Sequence, residues 1–249
     1  MIYMYLETKN IRKAYDGKSI IEDISIKVDK GELVCLLGIS GSGKTTLFNI
    51  ISGIEKPDGD GAVLLNKEDI TAAPGKISYM LQKDLLLPYY TVLDNVSLPL
   101  IIKKGMKKKE AREEAKKLFP VFGIEGTEDK YPSALSGGMR QRAALLRTYL
   151  SSESVALLDE PFSALDTITK SAVHSWYLDI MEKIRLTTLF VTHDIDEAIL
   201  LSDRIYILGG SPGKIIKEIK INEPKPRHND FTLTTEFLEY KKEIVKTLK

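Results

Sequence analysis

The feature that most constrains this chain is a glycine-rich turn between two apolar stretches. Leu33 to Leu37 is the apolar run of a buried strand, and Leu47 to Ile51 continues as an amphipathic helix. The turn between them fits the phosphate-loop pattern G-x-x-x-x-G-K-[ST], in the strand-loop-helix context that this motif requires. An ordinary Gly/Ser turn is the alternative, and it leaves those flanks unexplained. The pattern therefore predicts an α/β protein that binds a nucleotide through its phosphates.

The loop assigns chemistry to particular side chains. Its glycines allow backbone turns closed to residues with a Cβ, so successive N–H groups can converge on phosphate oxygens, and the helix dipole adds positive charge. Lys44 would reach the β- and γ-phosphates, and the Thr45 hydroxyl would be a Mg²⁺ ligand. The nucleotide-binding residues predicted in this stretch are Gly38, Ser40, Gly41, Ser42, Gly43, Lys44, Thr45 and Thr46. Kinases and GTPases share this motif, so it leaves open what the energy is used for.

Composition excludes several classes of protein. A chain of 249 residues can bury a sizeable core without disulfides, and 36 Lys and Arg against 35 Asp and Glu give no sign of a nucleic-acid partner. The single cysteine, Cys35, is predicted to be a buried, reduced thiol in a cytosolic protein. The most apolar long window, Leu85 to Ile102, contains two prolines and an aspartate and does not fit a membrane span. Met1 to Tyr5 lacks the features of a signal peptide.

Periodicity and turn residues predict the remaining elements. Leu6 to Val28 alternates apolar and polar residues around Asp16-Gly17, which is typical of antiparallel strands with one solvated face. The other predicted strands are Ala62 to Leu65, Ile77 to Leu81 ending at Gln82, Ile205 to Ile207 and Ile215 to Ile219. The predicted helices are Thr91 to Ile102, Lys107 to Phe119 and Phe231 to Leu248. The charge run Lys103 to Lys109 is a solvated connection between helices or, alternatively, a membrane-surface contact.

Three later stretches supply polar groups at the ends of apolar runs. Ser136 is a suitable N-cap, so the glycines after it expose a second helix N-terminus that can bind an anion. The strand Val155 to Leu158 ends in Asp159, which would complete Mg²⁺ coordination through water, and in Glu160, which could take a proton from attacking water. The strand Leu189 to Thr192 ends at His193.

In this order the motifs resemble the nucleotide-binding subunit of an ATP-binding cassette (ABC) transporter, over nearly the whole chain. The specific piece is the signature Leu135 to Gln141, since Walker A and Walker B motifs mark a wider superfamily. The resemblance implies a P-loop NTPase (RecA-like) α/β core with an antiparallel β subdomain and an α-helical subdomain. It also implies one ABC ATPase domain over residues 1–249. Its predicted parts are a nucleotide-binding core with the β lobe at 1–82 and 151–221, a helical lobe at 83–150, and a C-terminal helical tail at 222–249.

The resemblance further implies the roles of the site residues, with ATP and Mg²⁺ as cofactors. Two cassettes meet head to tail, so the ATP of one is closed over by the signature of the other, at Ser136, Gly137, Gly138 and Gln141. Mg²⁺ is held by Thr45, Gln82 and Asp159, and the catalytic residues are Glu160 as general base, His193 and Lys44. Tyr15 stacks on adenine, or packs only against its own chain, and Gln82 is otherwise a surface glutamine. Asp166, in the D-loop, couples the two sites.

A narrower resemblance concerns the type of transporter. Tyr79 to Val96 and Tyr131 to Ala134 resemble the nitrate/sulfonate/taurine-type importer ATPases, which also serve pyrimidine precursors of thiamine, although Tyr89 stands where that group has tryptophan. This implies a homodimer at the cytoplasmic face of the cell membrane, beneath two permease subunits supplied by an extracytoplasmic solute-binding protein. The alternatives are the ATPase of a lipid or lipoprotein exporter and a cytosolic ABC assembly factor. An apolar cluster next to Gln82 is either the permease contact or part of the core, and it comprises Leu85, Leu86, Leu87, Tyr89 and Tyr90.

Overall fold

The fold is built on a central, mostly parallel sheet. The computed structural model of the chain describes residues 4–152, 155–163, 167–227 and 229–248. Its strands are β1 Met4–Lys9, β2 Ile11–Tyr15, β3 Lys18–Ile24, β4 Lys27–Asp29, β5 Leu33–Gly38, β6 Ala62–Leu65, β7 Glu68–Asp69, β8 Ser78–Met80, β9 Val155–Asp159, β10 Thr187–Thr192, β11 Arg204–Gly209 and β12 Lys214–Lys220. Its helices are α1 Lys44–Ile51, α2 Val92–Ile102, α3 Lys108–Lys116, α4 Phe119–Phe122, α5 Gly137–Ser151, α6 Thr167–Ile184, α7 Ile195–Leu201 and α8 Thr235–Leu248.

The large sheet has the strand order β12-β11-β5-β10-β9-β8. The five strands from β11 to β8 in this order run parallel. The edge strand β12 pairs antiparallel with β11. The strand β5 is buried along its whole length because it is covered on both faces. Leu33, Cys35 and Leu37 face a core shared with the helices, whereas Val34 and Leu36 face a second core shared with α1 and the antiparallel strands. Cys35 is a buried free thiol, as its position mid-strand predicts.

Two antiparallel sheets lie beside this core. In one, β2 and β3 pair around Asp16 and Gly17, which both have positive φ, as the alternating pattern predicts. The other has the order β4-β1-β6-β7, and β6 covers the predicted residues Ala62 to Leu65. The buried side chains Leu6 and Ile11 join these strands to the core on the α1 side of the large sheet. The predicted fold class, an α/β P-loop core with an antiparallel β part and a helical part, is confirmed.

The helices between β8 and β9 form the helical part. Thr91 caps α2, since its hydroxyl accepts a hydrogen bond from the Asp94 amide at 3.1 Å. The Asp94 carboxylate then accepts from Arg112 of α3 at 2.6 Å, which ties α2 to α3. The lysine-rich segment between these two helices is largely exposed, as a solvated connection predicts. The domain boundaries at residues 82, 150 and 221 stay a prediction.

The structure corrects two predicted helix limits. The helix predicted over Lys107 to Phe119 ends at Lys116, and a separate short helix follows with Pro120 in its first turn, because proline has no N–H to continue the first helix. The last helix begins at Thr235 rather than Phe231, since a 3₁₀ turn precedes it and the Thr234 hydroxyl accepts from the Phe237 amide. Among the described residues, none of the helices is both long and apolar enough to cross a membrane.

Candidate functional site

The site lies where four parallel strands end at the same edge of the sheet. The phosphate loop follows β5, His193 follows β10, Glu160 follows β9, and Gln82 lies two residues beyond β8. Because β5, β10, β9 and β8 are neighbours in that order, these four turns form one continuous rim. Ligands of open α/β sheets bind at such carboxyl ends. A cavity of about 320 Å³ opens there, lined by Ile20, Ser40, Gly41, Gly43, Lys44, Thr45, Thr46, Gln82, Asp159 and Glu160.

The phosphate loop is a tightly enclosed cradle. Gly43 has φ 93°, and a Cβ there would lie 2.3 Å from the Ile21 side chain, so only glycine fits. The Ser42 hydroxyl is buried, and no hydrogen-bond partner for it occurs among the described residues. A Cβ on Gly38 would lie 2.8 Å from that hydroxyl, and one on Gly213, in the β11–β12 turn, would lie 2.2 Å from the Ser42 carbonyl. The loop is therefore tightly packed against its surroundings and, within the described part of the chain, retains an unpaired hydroxyl, as a phosphate-binding turn requires.

Lys44 supplies the positive charge of this cradle. Its ammonium donates to the carbonyls of Gly38 and Ile39, both at 2.9 Å. Burial lowers the pKa of Lys44, and the nearby carboxylates of Glu160 and Asp159 oppose that shift. Those two carboxylates therefore partly offset the cost of burying the ammonium.

The predicted Mg²⁺ ligands meet at the same cavity. The Asp159 carboxylate, the Thr45 hydroxyl and the Gln82 amide all line it, and oxygen donors of these kinds suit Mg²⁺. Burial raises the pKa of Asp159, so a divalent cation would relieve the cost of keeping its charge. No cluster of three or more His, Cys, Asp or Glu side chains occurs in the described part of the chain that could hold a metal alone. The donor set therefore fits an ion shared with phosphate oxygens and water rather than a protein cage.

Glu160 is held between the two neighbouring strand ends. Its Oε2 accepts from Gln82 Nε2 at 3.1 Å, and its Oε1 lies 3.1 Å from His193 Nδ1. Its backbone has φ 44°, and its carbonyl accepts from the Ser163 amide and hydroxyl at 3.2 and 3.0 Å. A residue with a strained backbone at a strand end, whose carboxylate has a partner on each oxygen, is typical of a functional position. The sequence predicts Glu160, Gln82 and His193 singly, and the structure brings all three together.

The signature residues lie at the start of α5. Ser136 is exposed and its hydroxyl accepts from the Met139 amide at 3.3 Å, so it is the predicted N-cap. Gly137 borders a cavity of about 770 Å³ that also reaches Glu160 and His193 of the same chain. Gly138 and Gln141 are buried, and the Gln141 amide donates to the Pro161 carbonyl. The predicted contact of these residues with a second copy stays a prediction, and for Gln141 the structure gives a bond within the chain.

Tyr15, the residue predicted to stack on adenine, lies beside Glu55 and Lys13. The Tyr15 hydroxyl donates to Glu55 Oε1 at 2.5 Å, and its ring, 42% exposed, lies under the Lys13 ammonium at 5.6 Å. Tyr15 does not line the cavity at the phosphate loop, although its hydroxyl reaches Thr46, so adenine stacking stays a prediction. Asp166 lies outside the described residues.

Several functional contacts are not predicted from the sequence. Tyr79 donates its hydroxyl to Asp159 Oδ2 at 3.2 Å, and Ser163 accepts from Gln82 Nε2 at 3.3 Å. Arg147 of α5 donates to the carbonyls of Asp84 and Leu85 at 2.5 and 2.7 Å. Among these residues only Tyr79 is marked by the sequence, because it lies in the apolar run that ends at Gln82.

Comparisons with known proteins agree with this geometry. The family described as ABC transporter matches residues 21–163. The formylaminopyrimidine import ATP-binding protein ThiZ of Halalkalibacterium halodurans is 46% identical over 99% of this chain and 95% of its own length. The aliphatic sulfonates import ATP-binding protein SsuB of Bacillus cereus is 38% identical over 96% of this chain and 92% of its own. A solved dimeric ATP-binding cassette, in a post-hydrolysis state with ADP and Pi, has a TM-score of 0.74 at 30% identity, covering 88% of this chain and 100% of that one.

The chain therefore belongs to the ABC transporter family of ATP-binding proteins, and it is an ATPase. Within that family it is of the import type, to which both of these relatives belong by name. The predictions of the family, the fold class, ATP hydrolysis and an importer subunit are confirmed. The lipid or lipoprotein exporter and the cytosolic assembly factor are not favoured.

The enclosure of Gly43 leads to a stability prediction. Gly43→Ala and Gly41→Ala both place a Cβ at positive φ, at 93° and 80°, but only the first meets a neighbour, since nothing lies within 4 Å of a Cβ on Gly41. We expect Gly43→Ala to lower the free energy of unfolding by about 1 to 3 kcal/mol more than Gly41→Ala, the usual cost of overpacking. Urea denaturation without nucleotide measures both, and equal losses would contradict the enclosure seen here.

Proposed function

We propose that two copies of this chain hydrolyse MgATP at two shared sites beneath two permease subunits, at the cytoplasmic face of the cell membrane. The energy would drive uptake of a small solute delivered by an extracytoplasmic binding protein. The observation that carries this proposal is the arrangement of Glu160, which is bonded to Gln82 and His193 at the rim of the phosphate-loop cavity.

The hydrolysis step follows from the groups at this rim. The loop amides and Lys44 would bind the phosphates, while Asp159 and Thr45 would hold Mg²⁺, which would neutralise charge on the phosphate oxygens when bound. Glu160 would take the proton of the attacking water, and its bonds to Gln82 and His193 keep its carboxylate directed at the cavity. Preorganised donors of this kind each contribute about 3 to 4 kcal/mol to transition-state stabilisation.

A second copy would complete the site. None of the described signature residues lines the phosphate-loop cavity of its own chain, and Ser136 stands exposed at a helix N-terminus, where amide groups favour anions. Donors from a second copy would make hydrolysis conditional on closure, as an arginine finger does. A similar cassette has been solved as a dimer with ADP and Pi, which supports a homodimer.

The apolar cluster beyond Gln82 supports the contact with the permease. Of its five members only Leu86 is buried, whereas Leu85, Leu87 and Tyr90 are 51%, 41% and 43% exposed and Tyr89 is 91% exposed. Contiguous exposed apolar side chains of this kind mark interaction surfaces. We propose that a segment of the permease packs on these four residues.

Side chains of two helices hold this surface in place. Arg147 of α5 bonds the carbonyls of Asp84 and Leu85, and Leu85 has φ 45°. Asn95 of α2 is fully buried and accepts from the Leu87 amide at 2.7 Å while donating to the Leu87 carbonyl at 3.1 Å. The permease contact is thus attached to α5, the helix that begins at the signature, so movement at one would be transmitted to the other.

The first prediction from this proposal concerns Glu160 and Ser136. Glu160→Gln removes the base, so we expect turnover to fall at least about 10²-fold while ATP binding persists. ATP should then hold the variant as a dimer in size-exclusion chromatography. Adding Ser136→Arg should abolish that dimer but not ATP binding, and Glu182→Gln, exposed elsewhere, is the control. Normal turnover of Glu160→Gln, or a dimer that survives Ser136→Arg, would refute the shared site.

A second prediction concerns the permease contact. Tyr89→Glu places a charge on the most exposed residue of the cluster, and burying that charge against an apolar partner is unfavourable. We expect the number of solute molecules imported per ATP hydrolysed to fall in proteoliposomes containing the permease. The matched control is Leu233→Glu, 84% exposed in the 3₁₀ turn before α8. Equal coupling in the two variants would rule out this surface.

A third prediction concerns the solute. The more similar of the two relatives described above is named for formylaminopyrimidine import and the other for aliphatic sulfonates, so we propose a formylaminopyrimidine-type solute. In proteoliposomes that contain its permease, and with the binding protein added, ATP hydrolysis should be stimulated by formylaminopyrimidine. An alkanesulfonate should have no effect, and stimulation by the sulfonate alone would overturn the assignment.

A further inference from the structure

A partly buried cluster of ion pairs lies behind His193 and has no part in the steps above. The Lys170 ammonium, on α6, donates to Asp194 Oδ2 at 2.7 Å and lies 2.5 Å from Glu197 Oε1. His174, one turn further along α6, places its Nε2 3.4 Å from the same Glu197 oxygen. Burial of Glu197, which is only 3% exposed, opposes its charge, but the proximity of His174, Lys170 and Thr192 outweighs that effect and lowers its pKa. Lys170 is the cation that compensates both carboxylates.

This cluster fixes the backbone on both sides of His193. Thr192 donates its hydroxyl to Glu197 Oε2 at 2.5 Å and accepts from the Asp194 amide at 3.0 Å. Asp194 in turn caps α7, because its carboxylate accepts from the amides of Asp196 and Glu197 at 2.9 and 3.3 Å. Thr192, before His193, is therefore bonded to Glu197, and Asp194, after it, is itself paired with Lys170.

Helix α6 also supports the segment that carries Glu160. Phe162 lies two residues after Glu160, and its ring packs edge-on against His174 at 4.7 Å and Tyr177 at 5.3 Å, both from α6. Side chains of α6 thus contact the two turns whose side chains meet as the 3.1 Å pair of Glu160 and His193.

We propose that Lys170 is a positioning residue for ATP hydrolysis, acting through Asp194 and Glu197 on His193. This inference rests on the proposed roles of Glu160 and His193. Without the ammonium, two carboxylates would face each other and the buried one would be uncompensated, which is strongly unfavourable. They would separate, the first turn of α7 would shift, and His193 would leave its place beside Glu160.

The test compares Lys170→Met with a matched ion pair elsewhere. Lys225 and Asp203 are also 2.7 Å apart, and their side chains are 23% and 34% exposed, against 22% and 35% for Lys170 and Asp194. Asp203 bonds the Leu33 amide at the opposite end of β5, away from the site. Lys225→Met therefore loses a similar pair without touching the rim.

We expect Lys170→Met to lower kcat by about ten- to hundredfold, because an error of about 1 Å in a catalytic group can cost about 10²-fold. The ATP dissociation constant should stay within about twofold of wild type, since the phosphate loop is not altered. Lys225→Met should keep its kcat, and Lys170→Arg should recover most of the loss. A kcat for Lys170→Met equal to that of Lys225→Met, or a parallel loss of ATP affinity, would overturn the proposal.

Two more variants keep the test decisive. Thr192→Val retains the ion pairs but removes the hydroxyl that bridges Glu197 and the Asp194 amide, so it should also lower kcat if Lys170→Met fails to fold. An unchanged kcat in Thr192→Val would count against positioning through this cluster. His193→Ala separates the two levels of the argument. If it hydrolyses ATP normally, the proposed role of His193 fails, whereas an inactive His193→Ala beside a fully active Lys170→Met refutes only the positioning role.

Discussion

The whole site depends on a parallel sheet that is buried on both faces. Such a sheet has no solvated side along its strands, so polar side chains can emerge only where the strands end. In this chain β5, β8, β9 and β10 end at one edge, so the polar groups that follow them lie side by side. Because the ends of β8, β9 and β10 are adjacent, Gln82 and His193 reach the half-buried carboxylate of Glu160 from either side.

The turns at this edge are also bonded outward, to different helices. Arg147 connects the turn after β8 to α5, and Lys170 connects the turn after β10 to α6. The Arg147 guanidinium donates to main-chain carbonyls, and the Lys170 ammonium donates to a carboxylate. Helices α5 and α6, which are distant in sequence, therefore both contact turns that carry side chains of the site. Coupling of nucleotide state to helix position requires contacts of this kind.

Sequence reasoning succeeded where the signal is local. The phosphate loop, the strand before Asp159 and Glu160, and the cap at Ser136 each depend on adjacent residues, and the structure has them where the patterns predict. Contacts between distant segments were not predictable, since nothing near Lys170 marks Glu197 as its partner. The late start of α8 had a local cause in a capping threonine, but the apolar residues before it hid the boundary. Dimer formation depends on a second molecule, so it cannot be read from the cavity of one chain.

The closeness of Gly213 to Ser42 has a consequence for how the nucleotide loop is maintained. The tip of the β11–β12 hairpin lies directly on the loop, and Gly213 is bonded there to Ile20 and Glu22, at 2.8 and 2.9 Å. A motif that looks self-contained in its eight residues, Gly38 to Thr45, is therefore closed from behind by a residue about 170 positions later. Because synthesis runs from the N-terminus, the phosphate loop is made long before the hairpin that forms part of its wall, and it can take this closed shape only once that hairpin has folded against it.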